Sequence, residues 1–132
     1  MQEFKVNPIG KVNVNAEGMS IELETQYIAG LLALDGFSHL NVVWWFSDND
    51  NDEARKVLEI PRPYAKAPEV MGVFATRYPC RPNPIAITVV EVKHVDYEKG
   101  IIQVGYIDAN DGTPVLDIKP YTSCMDRVKS VG

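Results

Sequence analysis

Two arginines on a stiff corner are the side chains best placed to do chemistry in this sequence. In MGVFATRYPCRPNPIAITVVEV, Met71 to Val92, an apolar run ends at Thr76, and Arg77 and Arg81 follow. Pro79, Pro82 and Pro84 fix φ and remove backbone donors, so the stretch is neither helix nor central strand. It reads as a strand, a rigid loop, and then a long β-branched strand from Ile85 to Val95. Two guanidiniums on such a loop make an anion-facing or base-facing surface; the competing reading is a solvated proline turn. Cys80 lies between them, where neighbouring cations favour the thiolate, the alternative being a passive small side chain.

The carboxylates are less pointed. Asp111-Gly112 is a turn dipeptide, and Asp117 and Lys119 lie two apart, so on a strand they share a face and pair. Asp48, Asp50 and Asp52 have calcium-loop spacing, but Glu53 stands where the sharp turn needs glycine, so the run reads as a solvated acidic loop. His39, His94, Cys80 and Cys124 have no zinc spacing, and no metal is expected.

These groups must be carried by a β scaffold. Val6 to Val14 alternates imperfectly and turns at Glu17-Gly18, and Met19 to Leu23 alternates with period two, which predicts a hairpin. Thr25 to Leu34 has helical spacing (Tyr27, Ile28, Leu31, Leu32, Leu34), stopped by Asp35-Gly36. Leu40 to Phe46 reads as a buried strand, and its Trp44 and Trp45 need acceptors for their indole N–H groups. Lys56 to Ile60 reads as a short strand, Pro61 to Pro68 as an irregular exposed loop, and Ile101 to Ala109 as a strong strand. Six or seven strands, one short helix and no βαβ alternation predict an all-β sandwich or barrel in a single domain over residues 1–132. The G-x-G-x-x-G fingerprint is absent, so a Rossmann fold is not expected.

Composition sets the outer bounds. At 132 residues, with 45% hydrophobic and 23% charged residues, the chain is an ordinary globular protein of one-domain size. It has no apolar run near the ~20 residues of a membrane span. MQEFKVNPIG lacks a signal-peptide pattern, so a cytoplasmic address with free thiols is expected. The net charge of −5 disfavours a dedicated nucleic-acid binder, since affinity for a polyanion comes from Lys and Arg at phosphates. Any such role requires the 13 basic residues to be focused on one face, for which Arg77, Arg81, Arg62 and Lys66 are the available cluster.

The Met71 to Val92 segment resembles the signature of the TsaA-like, or TrmO, family of tRNA methyltransferases, Gly-Val-Phe-Ala-Thr-Arg-Ser-Pro-x-Arg-Pro-Asn-Pro-Ile-Gly. Gly72 to Arg77 and Arg81 to Ile85 match it; DGTPVLDIKPY, Asp111 to Tyr121, matches the second hallmark, and GFSHL, Gly36 to Leu40, is a weaker third. The resemblance implies a β-barrel domain that binds S-adenosylmethionine outside the Rossmann framework. It also implies methylation of the exocyclic amine of a threonylcarbamoylated adenosine beside the tRNA anticodon, by a homodimer.

By the same resemblance, Arg77, Ile87, Asp108, Ala109, Asn110, Asp111, Ser47 and Asp48 fall where the cofactor is contacted. Tyr78, Arg81, Asn83, Lys119 and Tyr121 fall on the substrate side, each with a structural alternative. Arg81 and Asn83 either read a base or phosphate or cap the corner. Asp111 and Asp117 are the carboxylates available as a general base, and neither is singled out.

The sequence also departs from the family. Its tRNA-methylating members carry a longer segment between the first two strands, with Ile-Arg-Ser-Pro and Pro-Arg-Gln; here Ile9-Gly10 runs directly into KVNVNAEGMSIEL. Ser-Pro has become Tyr78-Pro79, and the final signature glycine is Ala86. Three functions therefore stand: a tRNA methyltransferase, a non-catalytic module binding a nucleoside-like ligand, and a methyltransferase of small molecules.

Overall fold

The computed structural model describes residues 2–129. Eight strands form in chain order: β1 (Gly10–Asn15), β2 (Gly18–Leu23), β3 (His39–Trp45), β4 (Glu59–Pro61), β5 (Val70–Gly72), β6 (Ile85–Asp96), β7 (Ile101–Val104) and β8 (Pro114–Pro120). The chain falls into two compact units, one taking residues up to Trp44 and from Ile87 onward, the other Trp45–Ala86.

The first unit is a closed antiparallel barrel in the order β1-β2-β7-β6-β3-β8, with β8 returning to β1. Each barrel strand contributes at least one fully buried aliphatic residue: Val12, Ile21, Leu40 and Val42, Val90, Ile102 and Val115. The register places Val12 against Ile21 and Ile21 against Ile102. So small a barrel is filled by its own side chains, and a ligand is left the loops at its ends. β1 starts at Gly10 for a steric reason, because a Cβ there would run into the Glu22 carbonyl of the paired strand. The β1–β2 hairpin is closed by Ala16 and Glu17 alone, so the longer family segment has no counterpart in the fold.

Two expectations shift. The helical spacing over 25–34 becomes a 3₁₀ segment, Thr25–Leu31, broken by Ala33 at φ 71 and followed by a second short turn, Leu34–Gly36. Within the longer segment only Leu31 is buried, and Leu32 is 86% exposed, so no apolar face rewards an α-helix. The strand expected over 101–109 leaves the sheet after Val104, which frees the following residues to form a loop.

In the second unit β4 and β5 pair around the proline-rich loop, with Ile60 opposite Met71. Ala54, Ile60, Ala67, Val73 and Pro84 form its small core. One α-helical turn, α1 (Asp52–Arg55), sits inside the acidic run; Asn51 caps it, its side-chain oxygen accepting the Ala54 N–H at 2.8 Å. Among the described residues no helix is long and apolar enough to cross a membrane.

Candidate functional site

Where the backbone leaves β7, Ile107 and Ala109 are buried while Asp108 and Asn110 point outward. A cavity of about 360 Å³ lies against the Tyr106–Asp111 segment, with Val14 and Met19 completing its wall. That volume falls within the ordinary range for small-molecule sites. A larger hollow of about 590 Å³ beside Lys11, Glu24 and Pro114 contains none of the sequence-predicted site residues. Size does not choose between them; chemistry does.

The 106–113 loop is fixed from several directions. Asp111 Oδ1 accepts the Val14 N–H at 2.7 Å, and the Gly112 N–H donates to the Val12 carbonyl at 2.7 Å. Gly112 sits at φ 84, the left-handed region that glycine tolerates best. Thr113 Oγ1 donates to the Asn110 carbonyl at 2.7 Å, and the Ile107 N–H points at Met19 Sδ, 3.3 Å away. Asp108 is held differently: Trp44 Nε1 donates to Thr88 Oγ1 at 3.0 Å, and Thr88 Oγ1 donates to Asp108 Oδ1 at 2.6 Å. Asp111 thus spends one carboxylate oxygen on bracing.

The remaining barrel-unit candidates are not among the residues lining this cavity. Ile87 is 47% exposed on the outer face of β6 and is not part of the cavity wall. Asp117 and Lys119 share a face of β8 and form an ion pair at 3.0 Å. Tyr121 is half-buried, and its backbone N–H donates to the His39 carbonyl at 3.0 Å.

In the Trp45–Ala86 unit the signature corner is braced from within. The Arg81 guanidinium donates to the carbonyls of Tyr78 at 2.9 Å and Thr76 at 3.1 Å, and more weakly to that of Val73 at 3.4 Å. These bonds make Arg81 a cap of the corner. Arg77, Tyr78 and Asn83 are exposed, as are Ser47 and Asp48 on a 3₁₀ turn, Ser47–Asn49. Cys80 is half-buried, with Asn49 Nδ2 at 3.5 Å from its Sγ.

Arg55 is the residue here that sequence reasoning missed. Its Nε donates to Asp50 Oδ1 at 2.7 Å, its Nη1 to the Pro82 carbonyl at 3.2 Å, and its guanidinium lies 5.6 Å from the Trp45 ring centroid. Trp45 Nε1 donates to Asp50 Oδ2 at 3.1 Å, so both oxygens of that carboxylate are engaged. The Arg55 hydrogen bond, followed by that of Trp45, lowers the Asp50 pKa below its ordinary value. Thr88 was missed as well, although the sequence held its signal: indole donors that need acceptors.

Comparison with known proteins places these features in a family. The family described as tRNA-methyltransferase O N-terminal domain matches residues 2–127. A Methanocaldococcus jannaschii protein named "Probable S-adenosyl-L-methionine-binding protein" is 36% identical over 127 residues, which is 96% of this chain and 98% of that protein. The tRNA (adenine(37)-N6)-methyltransferase of Escherichia coli is 44% identical over 90 residues, covering 67% of this chain but 37% of that enzyme. The crystal structure of TrmO from Pseudomonas aeruginosa superposes with a TM-score of 0.74 at 27% identity, over 99% of this chain and 62% of that one. The chain thus spans about three fifths of the solved TrmO chains. On the match over residues 2–127, the chain belongs to the tRNA-methyltransferase O N-terminal domain family.

Proposed function

We propose that this protein binds S-adenosylmethionine at the Tyr106–Asp111 cavity and transfers its methyl group to an adenosine of tRNA. The observation that carries the reading is that cavity: the residues leading into the second hallmark form its wall and place the Asp108 carboxylate at it. The residues fit the cofactor. Asp108 and Asp111 suit a cationic sulfonium, while Val14, Met19 and Ile107 are apolar and the Tyr106 ring, 65% exposed, offers a stacking face. The Asp108 carboxylate is exposed at the cavity, where it can accept from ligand hydroxyls. When bound, the sulfonium supplies an already activated methyl group. The protein's task is then to align donor and acceptor and to exclude water. Arg77, Ser47, Asp48 and Ile87 stand as further cofactor contacts, and Tyr78, Asn83, Lys119 and Tyr121 as substrate contacts, on the family resemblance.

A cytoplasmic location and a homodimer belong to the same proposal. The outer face of β6 supports the dimer, with Ile85, Ile87 and Val89 each 44–48% exposed in a row.

A second reading, a module that binds the cofactor without transferring methyl, is favoured by one observation. The β1–β2 hairpin has only Ala16 and Glu17 where tRNA-methylating relatives carry a longer segment. Calorimetry with S-adenosylmethionine, followed by turnover on tRNA, tests both. Absence of binding at millimolar cofactor refutes both readings, and binding without turnover leaves the second.

A further inference from the structure

Thr88 takes no part in the sequence signature, yet it joins a buried tryptophan to the carboxylate of the cavity. Along β6 it has the inward parity of Val90, a hydroxyl among apolar neighbours. Trp44, 6% exposed, reaches it from β3 beside the irregularity at Val43/Trp44, where bulges characteristically re-aim side chains. An indole N–H only donates. Thr88 Oγ1 must therefore accept from Trp44, at 3.0 Å, and its single proton is directed to Asp108 Oδ1, 2.6 Å away. The polarity of the relay is thus fixed by Trp44. One oxygen of Asp108 is held in place, and the exposed carboxylate lies on the cavity wall.

We propose that Thr88 is a positioning residue that fixes the Asp108 carboxylate to accept from the vicinal hydroxyls of a ribose, so that the cavity selects ribonucleoside ligands over their deoxy counterparts. The inference rests on the cofactor reading of the same cavity and goes beyond it by naming the ligand group recognised and the residue that sets the geometry. A carboxylate that accepts from a diol discriminates only if its orientation is held. Free to rotate, it would offer either oxygen to water with equal ease.

The test compares S-adenosylhomocysteine with its 2′-deoxy and 3′-deoxy analogues by calorimetry on the unaltered chain, Thr88→Val and Thr88→Ser. The unaltered chain should prefer the intact diol by about tenfold or more, the range for a charge-assisted hydrogen bond. Thr88→Val should bring that ratio close to one, and Thr88→Ser, which keeps the hydroxyl, should restore it. A role confined to packing would lower the melting temperature of Thr88→Val and leave the ratio where it was. Should Thr88→Val fail to fold, Thr88→Cys gives the same comparison, because a thiol is a weak donor. A folded Thr88→Val or Thr88→Cys chain that binds with the full diol preference overturns this inference alone. Absence of binding by the unaltered chain overturns the cofactor reading and this one with it.

Discussion

Replacing Arg81 by alanine removes the donor that closes the signature corner on itself. Its two better hydrogen bonds reach the Tyr78 and Thr76 carbonyls at 2.9 and 3.1 Å, and the third, at 3.4 Å, contributes little. A hydrogen bond from a charged donor is worth about 1.5–3 kcal/mol. Arg81 is only half-buried, so solvent competes, and halving that value for each gives about 1.5–3 kcal/mol for the pair. For a chain of this length each kcal/mol moves the midpoint by roughly 3–4 °C, so Arg81→Ala should melt about 5–12 °C lower. Arg81→Lys discriminates the mechanism, because an ammonium keeps the charge but lacks the planar fork that spans several carbonyls. It should recover less than half of the lost stability in calorimetric or circular-dichroism melts. An Arg81→Ala midpoint within about 1 °C of the unaltered chain refutes the brace, since surface changes cluster near zero. So does full rescue by lysine accompanied by a salt-dependent loss of anion affinity, which would make Arg81 a reader of phosphate.

Two further outcomes follow from the fold. Gly10→Ala should destabilise the barrel by about 3 kcal/mol, because the new Cβ meets backbone atoms of Glu22 and Leu23 that cannot rotate away; an unchanged thermal midpoint would contradict the close approach of β1 and β2. The lowered pKa of Asp50 gives a pH signature, since a group whose folded value lies below its unfolded value of about 3.9 stabilises above that pH and loses its contribution as pH falls through the folded value. Asp50→Asn should therefore melt lower than the unaltered chain at neutral pH and converge with it as the pH falls through the folded value; curves that stay parallel from neutral pH through the acid range would show that the Arg55–Trp45–Asp50 cluster contributes nothing.

Much of this was legible in the sequence because it depends on local chemistry. Alternation with period two marked β2, an apolar run marked β3 and β-branched residues marked β6, and three prolines excluded regular structure from the corner between Thr76 and Ile85. Asp117 and Lys119 pair as their spacing requires, since strand periodicity alone puts them on one face. The α-turn at Asp52–Arg55 was hidden because four residues carry too little pattern and its cap lies inside a run read as a solvated loop. The family itself was visible because its hallmarks are runs of consecutive residues.

What the sequence could not decide is which oxygen faces which donor. Arg77 and Arg81 are the same residue type on the same corner, and the chain alone does not say that Arg81 spends its guanidinium on the backbone of its own loop. Asp108 and Asp111 are three residues apart, yet Asp111 braces β1 and Asp108 is aimed by Thr88, twenty residues earlier in the chain. Hydrogen bonding is directional and acts across strands remote in sequence. Residue types and local spacing, which the chain alone determined, therefore named the candidates, and the folded chain fixed which groups the side chains of Asp108, Asp111 and Arg81 meet.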